Sequence, residues 1–582
     1  MDTMINDKNL KPLLAINVGS ENCKAFLFDI VDGKYDFIAL GTSPTTTDDV
    51  NQGVKKGILK AIDELEAVSV RKVVTDDAQL IVPSRSDGNG VDSLILTYSV
   101  GAMLRVVTLG LMEDGSLGNA KRLAQSTYAK IIDSIGLNDG RKPEIKIDAI
   151  IKSAADVVLF SGGSDDGASS SISQMADLLY WVCKALPQEK RPEIFYAGNQ
   201  ALVERLSHVF DKMTNTTIAS NIRSAVNDDG WLRAQDDFNL CLTQNRYRQY
   251  TGLQQFGSLS STSPMPTAQG FANMIRFLSY VHTPKKSVLG IDLGSSTTTA
   301  AMASSGKLAL EVFAYGSGYG IRDYLKYLDP ASIQRWIPFE ITPAEIKDYF
   351  FQKSLFPTSI PLTEETFAFE AALVRCMLAS SMRAIMDGWH NTHYAFDPII
   401  VTGGFFNNNY DNSKNLMTIL DGLQPVGVST VILDRHGITG SLGAVAKFNS
   451  LVPVHLMESN AYETLGTVIS PVSKAKLAAP ILNIRLEFED NREERYTIKK
   501  GQIVRLPLEL GQNARISIQC QRGTRLELND SRRFRSFNIS GGLLGIIIDA
   551  RGRPIEMPED NQNRIRMIKQ WSESLKNKTT GT

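Results

Sequence analysis

The chain has 582 residues, of which 43% are hydrophobic and 21% charged, as is typical of a soluble globular protein with about three or four domains. Its net charge of −1 gives no electrostatic basis for binding nucleic acid, and no apolar run approaches the roughly 20 residues that cross a bilayer. The five scattered cysteines lack a CxxC pair, and the first residues lack the apolar core of a secretion signal, so we expect a cytoplasmic protein with reduced thiols.

The N-terminal part of the chain shows strand and helix patterns in turn. Residues 13–40 alternate apolar and polar side chains around turn signals, which is typical of a strand meander. Residues 49–66 carry apolar side chains at helical spacing and predict an amphipathic helix. Residues 92–112 predict a strand followed by a helix, and residues 118–135 predict a further helix. This mixture indicates an α/β lobe.

A strand–loop–helix–strand pattern follows. The apolar run 156–160 predicts a buried strand, and a loop rich in glycine, serine and aspartate comes directly after it. A helix and then the strand 194–196 complete the pattern, which predicts a parallel βαβ layer. Asp165 and Asp166 lie in the loop, where a solvated turn is favoured over a metal or ligand site.

The second half of the chain changes in composition. Residues 256–269 are rich in serine, threonine and proline and predict a loop or hinge, whereas residues 364–387 predict a long helix. Toward the C-terminus, strict alternation of apolar and polar residues, as in 482–488, predicts a separate small all-β domain over residues 462–556. Residues 557–582 form a charged tail.

Two segments about half a chain apart resemble each other. Residues 13–28 and 288–302 both consist of an apolar strand, an acid or amide, a glycine, a small polar turn and a second strand. Gly19 and Gly294 occupy the turns, where the missing side chain lets backbone N–H groups approach a phosphate. Either segment alone is also compatible with an ordinary surface hairpin. The matching pair predicts two hairpins that face each other and grip one polyphosphate between two domains.

Other residues near these glycines suit the same ligand. Asp292, two residues before its glycine, is placed to hold Mg²⁺ or its water, and Lys24 is placed to neutralise a phosphate charge. Candidate hydroxyl donors are Ser20, Ser295, Ser296, Thr297, Thr298 and Thr299. A third motif is the apolar strand 399–402, which opens onto Gly403 and Gly404. Paired glycines there allow close approach of a flat ring or a sugar, although a tight turn has the same pattern.

The order of the two hairpins and the strand–Gly-Gly motif resembles that of the actin–hexokinase–chaperone (ASKHA) superfamily of ATPases, in which two ribonuclease-H-like domains close on Mg-ATP. The resemblance implies that residues 17–24 and 292–299 form the two phosphate loops and residues 401–405 the adenosine loop, with Asp292 serving the metal. Asn17 stands where the first loop usually has an aspartate, and an amide supplies no negative charge to a cation. The resemblance therefore implies nucleotide binding, with at most slow ATP hydrolysis.

Within that superfamily the chain resembles the MutL (GlmL) family associated with glutamate mutase, which is unrelated to the mismatch-repair protein of the same name. The similar segments, which lie within roughly residues 12–455, are DVVLFSGGSDDG from 156, IFYAGN from 194, VTGGF from 401 and ILDRHGITGSLGA from 432. The implied fold is α/β, with two ribonuclease-H-like domains, an inserted βαβ region and the C-terminal all-β domain. The implied limits are 12–150 for the first actin-like lobe, 151–255 for the insertion and 270–460 for the second lobe.

The same resemblance implies a function. It indicates an ATP-binding, chaperone-like accessory or reactivating protein, which uses nucleotide-driven domain closure to remove damaged cofactor from an adenosylcobalamin-dependent mutase. Two alternatives stay open. One is a non-enzymatic actin-like scaffold or assembly protein, which the missing aspartate at position 17 fits. The other is a small-molecule kinase, for which no aspartate base stands out.

Overall fold

The computed structural model describes residues 10–49, 52–165, 167, 169–223, 229–250, 252–281, 286–327, 329–388, 395–527 and 532–576. The chain divides into two compact units. The first comprises the described residues up to Gly270 together with Leu310–Val312 and Gly440–Val452, and the second comprises the other described residues. Within the described ranges, no helix combines the length and the apolar character needed to cross a membrane.

The first unit contains a five-stranded mixed sheet. Its strands are β1 (Leu13–Val18), β2 (Asn22–Val31), β3 (Lys34–Pro44), β4 (Ser93–Tyr98) and β10 (Met265–Pro266). They lie in the order β10-β4-β1-β2-β3. The strands β1 to β3 form the expected antiparallel meander, while β4 is parallel to β1 and β10 is parallel to β4. This order is that of a ribonuclease-H-like domain.

A helix covers one face of this meander. Helix α1 (Val54–Ser69) packs against β2 and β3 through apolar residues four positions apart, such as Ile58 and Ile62. It begins five residues later than position 49, where the sequence predicted its start. Gly41 of β3 makes the close contact possible, since a Cβ there would lie 1.9 Å from the carbonyl oxygen of Ala61.

The first unit also contains an all-parallel five-stranded sheet. Its strands are β5 (Leu104–Leu109), β6 (Ala129–Ile135), β7 (Val157–Phe160), β8 (Glu193–Tyr196) and β9 (Thr216–Ile218), in the order β6-β5-β7-β8-β9. Its helices are α2 (Ser116–Gln125), α3 (Pro143–Ser153), α4 (Ser169–Ala185) and α5 (Val203–Phe210). The parallel βαβ layer is therefore present. Two of its strands precede residue 151, where the sequence predicted the inserted region to begin.

One predicted helix of this region is wrong, and another is correct only in its first half, where α2 lies. Residues 92–112 contain two strands, β4 and β5, and the second half of 118–135 is strand β6. Both errors fall on short apolar runs, for which periodicity does not separate a buried strand from a helix. The predicted loop 256–269 is only partly irregular, because it contains strand β10 and the ends of two helices. The helices of this stretch are α6 (Asp229–Gln249), α7 (Leu253–Leu259) and α8 (Thr267–Val281).

The second sheet of the ribonuclease-H-like type has eight strands. Five of them are β11 (Ser287–Leu293), β12 (Thr298–Ser304), β13 (Lys307–Phe313), β14 (Phe396–Thr402) and β15 (Gly427–Leu433), and they lie in the order β13-β12-β11-β14-β15. The pair β11–β12 is antiparallel, and β14 and β15 follow in parallel. The strand order of the first sheet is thus repeated, which confirms the α/β fold class with two actin-like halves.

The helices that follow β13 are α9 (Ile321–Leu325), α10 (Pro330–Gln334), α11 (Pro343–Leu355), α12 (Glu364–Gly388), α13 (Gly404–Asn407), α14 (Asn412–Leu423), α15 (Thr439–Phe448), α16 (Leu451–Met457) and α17 (Asn561–Lys576). The predicted long helix 364–387 corresponds to α12. Helix α17 occupies most of the predicted charged tail, of which residues 577–582 lie outside the described part of the chain.

The C-terminal region is built from strands, as expected, but they belong to more than one sheet. Strands β16 (Glu463–Ser470), β20 (Ile503–Leu506) and β24 (Ile546–Asp549) extend the eight-stranded sheet beyond β15 in the order β16-β24-β20, and one pair, β16 with β24, is parallel. A separate four-stranded sheet contains β18 (Pro480–Phe488), β19 (Glu493–Lys499), β21 (Asn513–Cys520) and β23 (Phe534–Ser540), and a small pair joins β17 (Val472–Ser473) to β22 (Thr524–Arg525). Part of residues 462–556, namely β16, β20 and β24, therefore shares a sheet with the second actin-like half.

A buried ionic network also ties this region to the helices. Arg375 of α12 pairs with Asp421 of α14 at 2.7 Å, and Asp421 pairs with Arg551 at 2.6 Å. Arg551 in turn contacts Asp549 at 2.8 Å, which also contacts Arg553 at 2.8 Å. All five side chains are almost completely buried. Because each charge has a partner, the network holds the end of β24 against α12 and α14.

Candidate functional site

The first candidate hairpin turns at Gly19, between β1 and β2. The Gly19 backbone N–H donates to the carbonyl oxygen of Asn22 at 3.0 Å, and the Gly19 carbonyl accepts from the Thr45 hydroxyl at 2.8 Å. The Ser20 hydroxyl donates to the carbonyl of Ser99 at 3.1 Å. A Cβ on Gly19 would lie 2.6 Å from the Asn22 oxygen, so the turn itself requires glycine.

Asn17 and Lys24 lie directly opposite each other on β1 and β2. Opposed residues of an antiparallel pair share one face of the sheet, so the amide and the ammonium group lie on the same side of this hairpin. The Asn17 side-chain oxygen accepts a hydrogen bond from the Thr267 hydroxyl at 2.8 Å. Asn17 is therefore held by the first turn of α8 and contributes no charge.

The second candidate hairpin has the same turn. The Gly294 N–H donates to the carbonyl oxygen of Thr297 at 3.0 Å, three residues on, as in the first hairpin. A Cβ on Gly294 would lie 2.8 Å from that oxygen. Asp292 is opposite Thr299, which repeats the register of Asn17 and Lys24. The resemblance of the two sequence segments thus extends to their hydrogen bonding.

The hydroxyl side chains of the second hairpin differ in their surroundings. Thr298 is fully buried, and its hydroxyl donates to the carbonyl oxygen of Tyr315 at 2.8 Å, so its hydrogen bond serves the fold. Thr299 is also buried. Ser295, Ser296 and Thr297 are partly exposed in the turn itself, and these three stay the candidates for contact with a ligand.

A glycine-rich segment that was not predicted from the sequence to belong to the site supports this second turn. Residues 315–320 follow β13, and the N–H groups of Gly318 and Gly320 donate to the carbonyl of Ser295 at 3.0 and 2.9 Å. The N–H of Ser317 donates to the Gly294 carbonyl at 3.0 Å. A Cβ on Gly316 would lie 2.4 Å from the same carbonyl oxygen. The spacing Gly316-Ser-Gly-Tyr-Gly was the available signal, because only glycines allow two backbones so close together.

Gly403 lies against the second hairpin. It follows β14, has φ of +121°, and a Cβ on it would lie 2.0 Å from the carbonyl oxygen of Leu293. Thr402, just before it, is in register with Asp292. The tertiary structure therefore brings the predicted adenosine motif next to the predicted phosphate hairpin of the same unit.

Gly404, unlike Gly403, is not in close contact with another strand. It is the first residue of α13, and a Cβ on it would meet no atom within 4 Å. The fold requires glycine at 403, whereas it leaves open space at 404. Space beside a backbone glycine at the end of a parallel strand is where a ring or a sugar can approach.

The residues after β15 serve the structure. The Asp434 carboxylate is fully buried and accepts hydrogen bonds from the N–H groups of Gly437, Ile438 and Thr439 at 2.8 to 3.0 Å, which caps α15. The Arg435 guanidinium forms two hydrogen bonds to Glu463, at 2.6 and 2.7 Å. Neither charge is left over for catalysis.

The loop after β7 is explained by contacts between loops. The Asp165 carboxylate accepts from the N–H of Gln200 at 3.0 Å and from the Asn221 amide at 3.0 Å, and these hydrogen bonds hold the pKa of Asp165 below its usual value. A Cβ on Gly198 would lie 2.8 Å from the N–H nitrogen of Gly162. These contacts favour the turn interpretation of Asp165, while Asp166 lies outside the described residues.

The candidate site offers few ligands for a metal ion. Across the described ranges, no group of three or more histidine, cysteine, aspartate or glutamate side chains could hold one. Mg²⁺ in nucleotide sites commonly takes only one or two carboxylates and receives its other oxygens from water and phosphate. Asp292, partly exposed beside the second turn, suits that role, whereas a site made of protein ligands alone does not fit.

Two sheets that share one strand order, each with a glycine-turned hairpin between its first two strands, define an actin-like ATPase fold. Within that class, residues 13–461 match the model described as MutL protein. The chain belongs to this MutL family, which confirms the resemblance inferred from its sequence. Among curated proteins, no match is found.

Several solved structures are similar at low identity. Acetone carboxylase in its nucleotide-free structure is 12% identical, with a TM-score of 0.33, 84% of this chain and 81% of that chain being covered. The ethanolamine utilization protein EutJ from Carboxydothermus hydrogenoformans is 8% identical, with a TM-score of 0.26 and coverages of 76% and 91%. The nucleotide-free diol dehydratase-reactivating factor is 10% identical, with a TM-score of 0.29 and coverages of 76% and 100%. The fold assignment therefore rests on the strand order.

Proposed function

We propose that this chain binds Mg-ATP and acts as a chaperone-like accessory protein of an adenosylcobalamin-dependent mutase of the glutamate mutase kind. One observation carries the nucleotide part of the proposal: two hairpins distant in sequence close through the same N–H to carbonyl hydrogen bond, at 3.0 Å in both. Each belongs to a sheet with the same strand order. Membership of the MutL family supports the mutase part.

The phosphate contacts are assigned to the two turns. Backbone N–H groups next to Gly19 and Gly294 approach the phosphates where no side chain intervenes. Lys24 and the Ser295 hydroxyl add donors, and the Ser20 hydroxyl adds one by exchanging its hydrogen bond to the Ser99 carbonyl for one to the phosphate. Asp292 holds the magnesium ion, directly or through water. Bound nucleotide supplies the triphosphate charge that these groups recognise.

The adenosine is assigned to the end of β14. Gly403 is occupied by the contact with Leu293, so the open side of Gly404 is the surface for the ring or the sugar. Asn17 keeps a hydrogen bond to Thr267 but supplies no charge. We therefore expect nucleotide binding to be the main event and hydrolysis to be slow, with binding biasing a conformational equilibrium that the partner reads.

Calorimetric titration with Mg-ATP tests the nucleotide part. Gly404→Val fills the open space at the proposed adenosine surface, and we expect it to weaken binding at least about tenfold, which is about 1.4 kcal/mol. Gly140→Val is the matched control, because a Cβ there also meets nothing within 4 Å. Gly294→Val is a poorer test, since its Cβ would press on the turn at Thr297 with or without nucleotide.

A second variant tests the metal. Asp292→Asn keeps the shape of the side chain but removes its charge, so the difference between titrations with and without Mg²⁺ should shrink. If wild-type protein releases no heat with Mg-ATP, or if Gly404→Val binds as tightly as the Gly140→Val control, the nucleotide proposal is lost.

Co-elution with a purified mutase tests the partner. Binding that Mg-ATP weakens or strengthens supports the accessory role. Pelleting of the chain with nucleotide and without mutase would instead indicate a scaffold, and a phosphorylated product from a metabolite panel would indicate a kinase.

A further inference from the structure

The all-parallel sheet of the first unit has a point where its strand order reverses. Counted along the chain, its five strands lie in the order 2-1-3-4-5, because the chain passes from β5 to β6 on one side and then crosses to β7 on the other side. In open parallel sheets of this order, ligands bind outside the carboxyl ends of the strands at the reversal point. In this sheet that point lies between β5 and β7.

The helices that follow these two strands cover opposite faces of the sheet. Leu123 of α2 packs in one core with Leu159 of β7, whereas Ile172 of α4 packs in another core with Phe160 of the same strand. Alternate residues of a strand face opposite sides of its sheet. The loops that lead into α2 and α4 therefore diverge, and a crevice lies between the ends of β5 and β7.

The loop after β7 carries backbone donors without acceptors. The Ser161 N–H still donates to the carbonyl of Leu109 in β5, at 2.9 Å. The N–H groups of Gly162, Gly163 and Ser164 donate to no group within the part of the chain that the structure describes, although both glycines are buried. Buried backbone donors are nearly always paired, with water or a ligand where no protein acceptor is at hand.

The carbonyl groups of this loop show where its donors point. The Gly162 carbonyl accepts from the Asn199 N–H at 2.9 Å, and the Gly163 carbonyl accepts from the Asn221 amide at 3.1 Å. In a trans peptide the N–H points opposite to the carbonyl of the preceding residue. The N–H groups of Gly163 and Ser164 therefore point away from the loops after β8 and β9, toward the β5 side. Gly163 has φ of +74°, a conformation that directs successive N–H groups at one anion.

A buried hydroxyl lies beside these donors. Ser161 is 0% exposed, and its Oγ has no hydrogen-bond partner within the described ranges. By the alternation of β7, its side chain lies on the same face as Leu159, which is the face that α2 covers. The loop from β5 leads to that face, so the hydroxyl is aimed at the β5 side of the crevice. An unpaired buried hydroxyl is unfavourable unless a ligand or water completes it.

Apolar side chains form the walls of the crevice. A Cβ on Gly162 would lie 3.2 Å from Cγ of Leu111, in the loop after β5, and 3.4 Å from Cγ1 of Ile172. Leu111 and Ser164 are partly exposed and therefore lie at its mouth. Helix α4, of 17 residues, begins at Ser169 shortly after the loop, so the positive end of its dipole is at the same edge of the sheet.

The acidic residue of the loop is engaged elsewhere. Asp165 accepts from the Gln200 N–H and from the Asn221 amide, both at 3.0 Å, and these partners belong to the loops after β8 and β9. The residue is exposed, so solvent screens its charge. Asp165 thus braces the loop, and the N–H and hydroxyl donors are left for a ligand.

We propose that Ser161, Gly162, Gly163 and Ser164, with Leu111 at the rim, form a site for the phosphate group of a nucleotide-type ligand; we call it the switch-point site. Donors without acceptors require a ligand rich in acceptor oxygens, and phosphate on backbone N–H groups near a helix N-terminus meets that requirement. The ring of the ligand packs on Leu111. This site is on a different sheet from the two glycine hairpins and is independent of the proposed function. A free mononucleotide and the nucleotide tail of a cobalamin both present such a phosphate.

The test is calorimetric titration of the full chain with two pairs of probes. Flavin mononucleotide is compared with riboflavin, which lacks the phosphate, and hydroxocobalamin with cobinamide, which lacks the nucleotide tail. In one pair, we expect the phosphate-bearing member to bind at least about tenfold more tightly, and Ser161→Ala to weaken its binding about tenfold. Removing an unpaired hydroxyl leaves no other group unpaired, so the thermal midpoint of this variant should not fall. Ser429→Ala is the matched control, because Ser429 of β15 is also buried with an unpartnered hydroxyl.

Each outcome decides the proposal. A preference for flavin mononucleotide that Ser161→Ala weakens and Ser429→Ala keeps identifies a mononucleotide site, and the same result for hydroxocobalamin identifies a site for the nucleotide tail. If neither phosphate-bearing probe binds, water completes these donors and the inference is overturned. Equal binding with and without the phosphate, or equal binding by Ser161→Ala and wild type, also overturns it. The Mg-ATP titrations of Gly404→Val test the proposed function separately, so either proposal can fail alone.

Discussion

The contact between Gly403 and β11 leads to a quantitative prediction. In Gly403→Ala, the new Cβ would lie 2.0 Å from the oxygen, 2.5 Å from the carbon and 2.9 Å from the nitrogen of Leu293, all of them backbone atoms. The residue also has φ of +121°, which L side chains rarely adopt. The strained backbone costs about 1–3 kcal/mol and the overpacking a similar amount. We therefore expect a loss of about 4 kcal/mol, a large part of the 5–15 kcal/mol typical of a folded protein.

Urea unfolding followed by circular dichroism measures this loss. With an m-value of about 3 kcal/mol/M, the midpoint of Gly403→Ala should fall by more than about 1 M urea. Gly404→Ala is the control, because its Cβ meets nothing within 4 Å and its free energy of unfolding should stay within about 0.5 kcal/mol of wild type. Equal midpoints for Gly403→Ala and wild type would refute the close junction between β11 and β14.

Three further predictions concern buried polar groups. Arg551→Met should lower the free energy of unfolding by about 3–5 kcal/mol in urea, because it leaves Asp421 and Asp549 without their shared partner; an unchanged midpoint would contradict this. Burial opposes ionisation of Asp549, but Arg551 and Arg553 hold its pKa well below its usual range. The stabilisation that the ionised Asp549 provides should therefore be complete above about pH 4 and decline as the pH falls further. Urea midpoints measured at pH 7, 4 and 3 test this. Burial raises the pKa of Cys23 to about 11 and that of Cys376 to about 12, and all five cysteines are buried and in the thiol form. A thiol reagent should therefore modify almost none of them in the native chain and all five in urea.

Local sequence patterns were sufficient to predict the secondary structure wherever residues close together in the chain determine it. The two hairpins could be predicted because strand, glycine and turn follow one another within a few residues, and the turn hydrogen bonds span only three positions. The alternation in 482–488 likewise predicted β18, whose inward residues Leu482, Ile484 and Leu486 are all buried. Short apolar runs failed this test, as at β5 and β6, because a buried strand lacks a clear period.

Contacts between residues far apart in the sequence determined features of the fold that no local sequence pattern predicts. Glu370 and Arg375 share one helix, but only the packing of α11 and α14 against it supplies their partners, Lys353 and Asp421. The C-terminal strands have the composition of a separate domain, yet β16 pairs with β15 and carries the region into the second actin-like sheet.

The amino-acid sequence by itself determined the repeated glycine hairpins, the strand–Gly-Gly motif and the MutL family, since these depend on residue types at short, set spacings. Only the tertiary structure decided which of those glycines the fold requires: Gly403 because Leu293 lies 2.0 Å from its missing Cβ, and not Gly404, which faces open space. The physical reason is that close approach of the backbones of two strands far apart in the chain requires a glycine but no other sequence pattern, so the sequence does not show which glycine makes the contact.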